Sequence, residues 1–168
     1  ISAIGTDTLY VDKFPWIITS REQFFKMRNR PNLTVQDAER VKELATLAKG
    51  VTPNIFTRRT IKFENKKSER VAVIGTTDEA LITSNTLPET GRFLMPMDIQ
   101  HRRAVAVIGY EVANVLFEGQ DPIGKRITVG DKKFRVIGVV EKKGSMFDFN
   151  MDNQIFIPIG VFQTQFGA

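Results

Sequence analysis

Apolar residues recur at helical spacing in one long stretch, residues 34–49. Apolar side chains stand every three or four positions there, and charged side chains fill the opposite face. Thr34, with Asp37 three positions later, is typical of a capped helix start, and Gly50 is a typical stop. The pattern predicts an amphipathic helix over 34–49 that packs on the rest of the protein through one side only.

Shorter apolar runs, bounded by turn-forming residues, predict strands and further helices. The strands are expected at 8–11, 54–64, 70–74, 104–108, 125–129, 133–140 and 154–157, with hairpin turns at 65–68 and 130–131. Helices are expected at 110–117 and, after Pro158, in a short amphipathic segment containing Val161, Phe162 and Phe166. Strands and helices alternate, which indicates an α/β or α+β fold.

The segment VAVIG occurs twice, at 71–75 and 105–109. A strand that ends in glycine before a helix can form a phosphate-binding turn, but neither copy continues into a dinucleotide or P-loop motif. Gly75 and Gly109 are therefore expected to permit sharp turns from strand to helix.

Few side chains suited to catalysis or metal binding are present. The chain has no cysteine and a single histidine, His101, which excludes thiol chemistry and multi-histidine metal sites. Residues 148–159 lack the glycine and glutamate that an EF-hand loop requires. An enzyme would need a deep pocket lined by Asp78, Glu79 and His101. We therefore expect a domain that is not an enzyme, without metal or cofactor.

Charge leaves a second class open. The net charge is +5, and the basic residues mostly lie in predicted turns. The alternative function is a soluble basic module that binds nucleic acid or an acidic partner surface. Its basic side chains would be Lys26, Arg28, Arg30, Arg58 and Arg59. The longest stretch free of charged residues, 153–168, is too short and too polar to span a membrane, so the chain is expected to be a soluble piece of a longer protein.

An ordered series of short segments resembles one known family. The segments are 5–11 (GTDTLYV), 89–93 (ETGRF), 103–109 (RAVAVIG), 115–117 (VLF), 121–127 (DPIGKRI), 134–140 (FRVIGVV) and 154–158 (QIFIP). In this order they are similar to the periplasmic core domain of MacB-type ABC transporter permeases, most strongly over residues 85–160.

The resemblance implies an α+β fold made of two small mixed α/β subdomains. A porter-like βαβ part would combine residues 1–85 and 134–168, and a smaller part would hold residues 86–133. The domain would be periplasmic, inserted between two transmembrane helices of an inner-membrane permease in the bacterial cell envelope. It would transmit ATP-driven conformational change for efflux or export.

The same resemblance implies the partners. They are the protein's own transmembrane helices, an ATP-binding domain or subunit that holds the ATPase activity, and a second permease copy. A periplasmic adaptor or substrate protein is a further expected partner, and nucleic acid is not.

Residues 14–33 depart from the family pattern, because the relatives are shorter there. The segment has no clear period and combines aromatic with basic residues, and a helical turn is expected near residues 20–27. We interpret residues 14–33 as an inserted loop that contacts a partner. The candidate contact residues are Trp16, Phe24, Phe25, Arg28 and Arg30.

Overall fold

A computed structural model describes residues 8–13, 20–146 and 149–167. The helices in these ranges are α1 (Arg21–Arg28), α2 (Val35–Leu44), α3 (Ala80–Thr83), α4 (Pro96–Gln100), α5 (Tyr110–Phe117) and α6 (Ile159–Phe166). The strands are β1 (Ile55–Phe63), β2 (Lys66–Thr76), β3 (Pro88–Gly91), β4 (Val105–Ile108), β5 (Arg126–Val129), β6 (Lys132–Val140), β7 (Ser145–Met146), β8 (Phe149–Asn150) and β9 (Gln154–Pro158).

Seven of the strands form one sheet in the order β3-β6-β4-β9-β2-β1-β5, and β5 also pairs with β6. The pairings therefore close a ring through β6, β4, β9, β2, β1 and β5. The β2–β9 and β4–β6 pairs are parallel, and the other pairs are antiparallel. Strands β7 and β8 form a separate small hairpin.

The central strands β4 and β9 are covered on both faces. Along β4, Ala106 and Ile108 join the larger core cluster, whereas Val105 and Val107 join the smaller one. Helices α5 and α6 supply the larger cluster with side chains that include Val112, Leu116, Val161 and Phe162. Because successive strand side chains point to opposite faces, double coverage explains why these strands are continuous apolar runs.

The secondary structure confirms most of the predicted elements. The hairpin with its turn at 130–131, the central strand, α5, the last strand and α6 lie where the pattern places them, and α1 confirms the helical turn expected near residues 20–27. The first hairpin is also present, but its turn lies at 64–65 rather than at 65–68, because β2 begins at Lys66. The mixed α/β composition is confirmed as well. β3, α3 and α4 were not predicted. The division into two subdomains stays a prediction, and strands from both of its parts meet in the same sheet.

Two predicted boundaries are wrong. Residues 8–11 form no strand, and Leu9 and Val11 are largely exposed. Strand propensity depends on pairing with a neighbouring strand, which that short run does not have in the sheet. Helix α2 ends at Leu44 rather than at Lys49, and Ala45 rather than Gly50 is its C-cap.

The two VAVIG glycines serve close packing rather than an unusual backbone turn. Gly75 lies inside β2, and a Cβ there would fall 2.6 Å from the Cβ of Phe162 on α6. Gly109 is the N-cap of α5, and a Cβ there would fall 2.3 Å from the carbonyl oxygen of Asp152. The expected strand-to-helix transition is therefore correct for Gly109 and wrong for Gly75.

Candidate interaction surface

Helix α1 presents part of the predicted contact residues to solvent. The Phe25 side chain is 54% exposed, and the Arg28 guanidinium carbon lies 6.0 Å from the centre of its ring. Arg30 is exposed just beyond the helix. Phe24 belongs to α1, but its side chain is outside the description, and Trp16 lies outside the described residues. The structure thus brings Phe25 and Arg28 together, with Arg30 exposed nearby in the sequence, while their contact with a partner stays a prediction.

An apolar groove of about 490 Å³ runs between α2, residues 51–55 and α6. Its apolar lining includes Val11, Leu33, Val35, Ala38, Val41, Pro53, Ile55 and Ile159. The amphipathic pattern of α2 is confirmed, but the predicted packing of its apolar side is wrong. No residue of α2 is buried, and Val41 remains 43% exposed, because the apolar side faces this open groove.

Polar contacts through Glu79 hold α2 and the following segment near the body. Lys42 of α2 donates a hydrogen bond to Glu79 Oε1, and the Val51 N–H donates to Glu79 Oε2 at 2.9 Å. Burial would raise the pKa of Glu79, but these hydrogen bonds and the Lys42 charge outweigh it and lower that pKa. Glu79, considered in the sequence as a catalytic candidate, is therefore a structural anchor.

A buried carboxylate organises the ETGRF segment. Asp98 is completely buried; its Oδ2 accepts hydrogen bonds from Arg92 Nη1 at 2.6 Å and from the Met95 N–H at 3.0 Å. Arg92 Nη2 lies 3.3 Å and Arg103 Nη1 3.7 Å from Asp98 Oδ1. Burial would raise the pKa of Asp98, but the hydrogen bonds and the two arginine charges lower it. Asp98 was not predicted as a site residue.

Gly91 and Gly124, from the family-like segments ETGRF and DPIGKRI, stand where backbone geometry is constrained. Gly91 has a φ of +73°, and a Cβ there would fall 2.3 Å from the Ile137 carbonyl oxygen. Gly124 has a φ of +83° and donates its N–H to the Val136 carbonyl at 2.8 Å. Asp121 accepts the Ile123 N–H at 3.0 Å, which fixes the turn before β5. The first segment thus shapes the edge strand β3, and the second shapes the turn that leads into β5.

The remaining chemical candidates lie apart. His101 is exposed at the C-cap of α4. Asp78 and His101 line neither the apolar groove beside α2 nor the depression that is lined by Arg92, Arg103 and Arg135. Asp152 accepts the N–H groups of Lys143 and Gly144 at 2.7 and 2.8 Å, so it anchors a loop. Within the described ranges, no three side chains of the His, Cys, Asp and Glu types gather as a metal site would require.

One side chain of the alternative basic surface, the exposed Arg59, makes contacts within the chain. The Arg59 guanidinium carbon lies 5.1 Å from the centre of the Phe166 ring, and its Nη1 donates to Thr57 Oγ1 at 2.9 Å. Arg58 and Lys26 are exposed. Nucleic-acid binding remains an untested alternative.

The fold is similar to those of solved periplasmic and extracellular transporter domains. The crystal structure of the periplasmic region of MacB from Actinobacillus actinomycetemcomitans matches 87% of this chain and 64% of its own length, with a TM-score of 0.71 and 21% identity. The extracellular domain of the noncanonic ABC-type transporter YknZ from Gram-positive bacteria matches 77% of this chain and 66% of its own, with a TM-score of 0.65 and 19% identity.

The chain belongs to the MacB-like periplasmic core domain family, whose model matches residues 1–168. A macrolide export ATP-binding/permease protein MacB of Bdellovibrio bacteriovorus is 33% identical over 131 residues, which are 77% of this chain and 20% of that protein. A pyoverdine export ATP-binding/permease protein PvdT of Pseudomonas savastanoi is 46% identical over 70 residues, 40% of this chain and 11% of that protein. The chain thus spans about a fifth or less of these relatives. Among the described residues, no helix has the length and apolarity needed to cross a membrane.

Proposed function

We propose that this chain is the extracytoplasmic part of an ABC permease in the inner membrane, and that it transmits ATP-driven conformational change during efflux or export. The match of the family across all 168 residues carries the proposal. ATP hydrolysis takes place on a separate domain or subunit, and this domain itself is not an enzyme. It works beside its own transmembrane helices and a second permease copy, with a periplasmic adaptor or substrate protein as a further partner.

The groove beside α2 supports insertion into a membrane protein. Val11, near the first described residues, lines the same groove as Ile159 and Gln163 of the last helix, α6. A domain inserted between two membrane helices must receive and return the chain on one side, and inserted domains commonly have neighbouring ends. Motion of the membrane helices would enter the domain at this groove.

The inserted segment 14–33 supplies the contact to a partner protein in this proposal. Phe25 and Arg28 present an apolar ring and a positive charge together, a combination that is enriched at protein interfaces. Trp16, Phe24 and Arg30 belong to the same contact. The two-part division into residues 1–85 with 134–168 and residues 86–133 would separate the parts that move.

Location is tested in the full-length protein that contains this chain. Because the chain has no cysteine, Lys133→Cys on an exposed position of β6 creates a unique label within it. Native cysteines elsewhere are replaced first, and a membrane-impermeant maleimide is applied to intact cells. We expect labelling before lysis. Labelling that occurs only after lysis would contradict an extracytoplasmic location.

The contact is tested by Phe25→Ala in the assembled transporter, with substrate transport and ATP hydrolysis measured together. We expect less transport per ATP hydrolysed. Phe56→Ala is the matched control, because Phe56 is an exposed ring (69%) on β1, outside the inserted segment. Equal effects of the two substitutions, or no effect of Phe25→Ala, would count against the contact.

A further inference from the structure

A second depression, of about 720 Å³, opens where β6 changes its neighbour from β5 to β3. Its walls hold three arginines, Arg92, Arg103 and Arg135, and a single carboxylate, that of Asp98. The lining therefore carries more positive than negative groups. Apolar side chains and the backbone of Gly91 and Gly124 complete it.

The acceptor capacity of Asp98 is largely used by one arginine. Arg92 binds both of its oxygens, and the Met95 N–H takes a further position on Oδ2. Arg103 stands at 3.7 Å, beyond hydrogen-bond distance, and its side chain is 51% exposed. Arg103 thus forms an ion pair but no hydrogen bond with Asp98 at the wall of the depression.

Arg135 contributes a positive charge that has no acidic partner among the described residues. No carboxylate of the described residues lies within 4.0 Å of its guanidinium, whereas the ion pairs found elsewhere in the chain are all shorter than that. Its backbone N–H donates to the Ala104 carbonyl at 2.9 Å, which fixes the strand position beside β4. The side chain is exposed, and its Nη2 lies 3.9 Å from where a Cβ on Gly124 would stand.

The strand register places a further arginine beside it. Arg126 of β5 is directly opposite Arg135 of β6. Directly opposed residues of an antiparallel pair share a face, and like charges there repel. An anion bound between these side chains would relieve that repulsion.

We propose that this depression binds an oxyanion group, a phosphate or a carboxylate, between Arg103 and Arg135. The planar guanidinium matches such groups with two parallel hydrogen bonds. Arg92 and Asp98 position the site, because their ion pair fixes the wall that carries Arg103. The site is separate from α1 and from the apolar groove, so it does not depend on the function proposed above.

The experiment titrates the 168-residue chain with inorganic pyrophosphate by calorimetry at constant, low ionic strength. We expect saturable binding to one site. Arg135→Gln and Arg103→Gln should each weaken it at least about tenfold, as the loss of a charge-assisted hydrogen bond implies. Arg58→Gln, which removes an exposed charge from β1, should change the affinity less than about twofold. Heat that never saturates, or equal losses in all three variants, would overturn the proposal.

Amide NMR locates the binding site, and vesicle sedimentation identifies the source of the oxyanion. Pyrophosphate should shift the signals of Gly91, Gly124 and Arg135, and shifts confined to other regions would overturn the proposal. In a second assay, the chain is sedimented with lipid vesicles. If it sediments with phosphatidylglycerol vesicles but not with phosphatidylcholine vesicles, and if Arg135→Gln abolishes this, the source of the oxyanion is a lipid headgroup. Pyrophosphate binding without such sedimentation would indicate a free oxyanion. Absence of both kinds of binding refutes the site.

Discussion

Asp98→Asn tests how much the buried ion pair contributes to the fold. The substitution keeps the shape of the side chain but removes the charge that faces Arg92 Nη1 at 2.6 Å and Arg103 at 3.7 Å. Hydrogen bonds to charged groups contribute about 1.5–3 kcal/mol each. Asparagine retains one acceptor oxygen, and Arg92, whose side chain is 40% exposed, can be partly hydrated in the variant. We therefore expect a loss of about 2–3 kcal/mol in the free energy of unfolding.

Urea unfolding followed by circular dichroism measures the loss, and pH supplies a second readout. The pKa of Asp98 is lowered in the folded state, so its stabilisation is present above the unfolded pKa near 4 and is lost as the pH falls through the folded value. The difference in the free energy of unfolding between the original protein and Asp98→Asn should therefore become smaller as the pH falls from 6 to 3.

The matched control is Glu89→Gln, which removes an exposed carboxylate from β3 in the same part of the sheet. It should change the free energy of unfolding by less than about 0.5 kcal/mol, as surface substitutions usually do. A loss below that size for Asp98→Asn, or a difference that does not narrow in acid, would refute the assigned role of the ion pair.

Four further substitutions have defined outcomes. Thr34→Ala removes the N-cap of α2 and should speed amide hydrogen exchange in α2 about fivefold, with unchanged global unfolding because no residue of α2 is buried. Gly138→Ala should lower the free energy of unfolding, measured by chemical denaturation, by about 2–3 kcal/mol, because the new Cβ would fall 2.1 Å from the Arg92 carbonyl oxygen. Gly160→Ala in α6 is the control and should be neutral or stabilising, because its new Cβ meets only the flexible Arg102 side chain. Glu79→Gln should increase amide exchange at residues 50–52, and the original protein should come to resemble the variant as the pH falls through the lowered pKa of Glu79 and the carboxylate is protonated. Identical exchange at neutral pH would contradict the anchor.

Local pattern predicted those parts of the fold that depend on neighbouring residues. The turn of the second hairpin and the N-cap of α2 were predicted because Gly130, Asp131, Thr34 and Asp37 act within a few positions of themselves. Amphipathicity also predicted which side of α2 is apolar. It could not show that the rest of the chain leaves this side open, because burial depends on where distant segments lie.

The candidate sites were harder to predict for the same reason. Arg92 and Asp98 are close in sequence, but their pairing depends on the path from β3 into α4, two elements that the pattern did not reveal. The arginine depression joins Arg103 and Arg135, which come together only through the parallel β4–β6 pairing. A basic residue on an exposed strand gives no sequence signal that distinguishes it from an ordinary solvated side chain.

The two ends of the described chain connect to the sheet differently. Helix α6 follows β9 directly, and β9 lies between β2 and β4 inside the closed ring of pairings. A force applied along α6 would act on the hydrogen bonds of the β9–β2 and β9–β4 pairs at the same time. On the other side, α1 and α2 precede β1, and α2 has no buried residue and is held to the body by its contact with Glu79. If the domain transmits displacement as proposed, the C-terminal connection is expected to be the stiffer of the two, and displacement would reach the sheet mainly through β9.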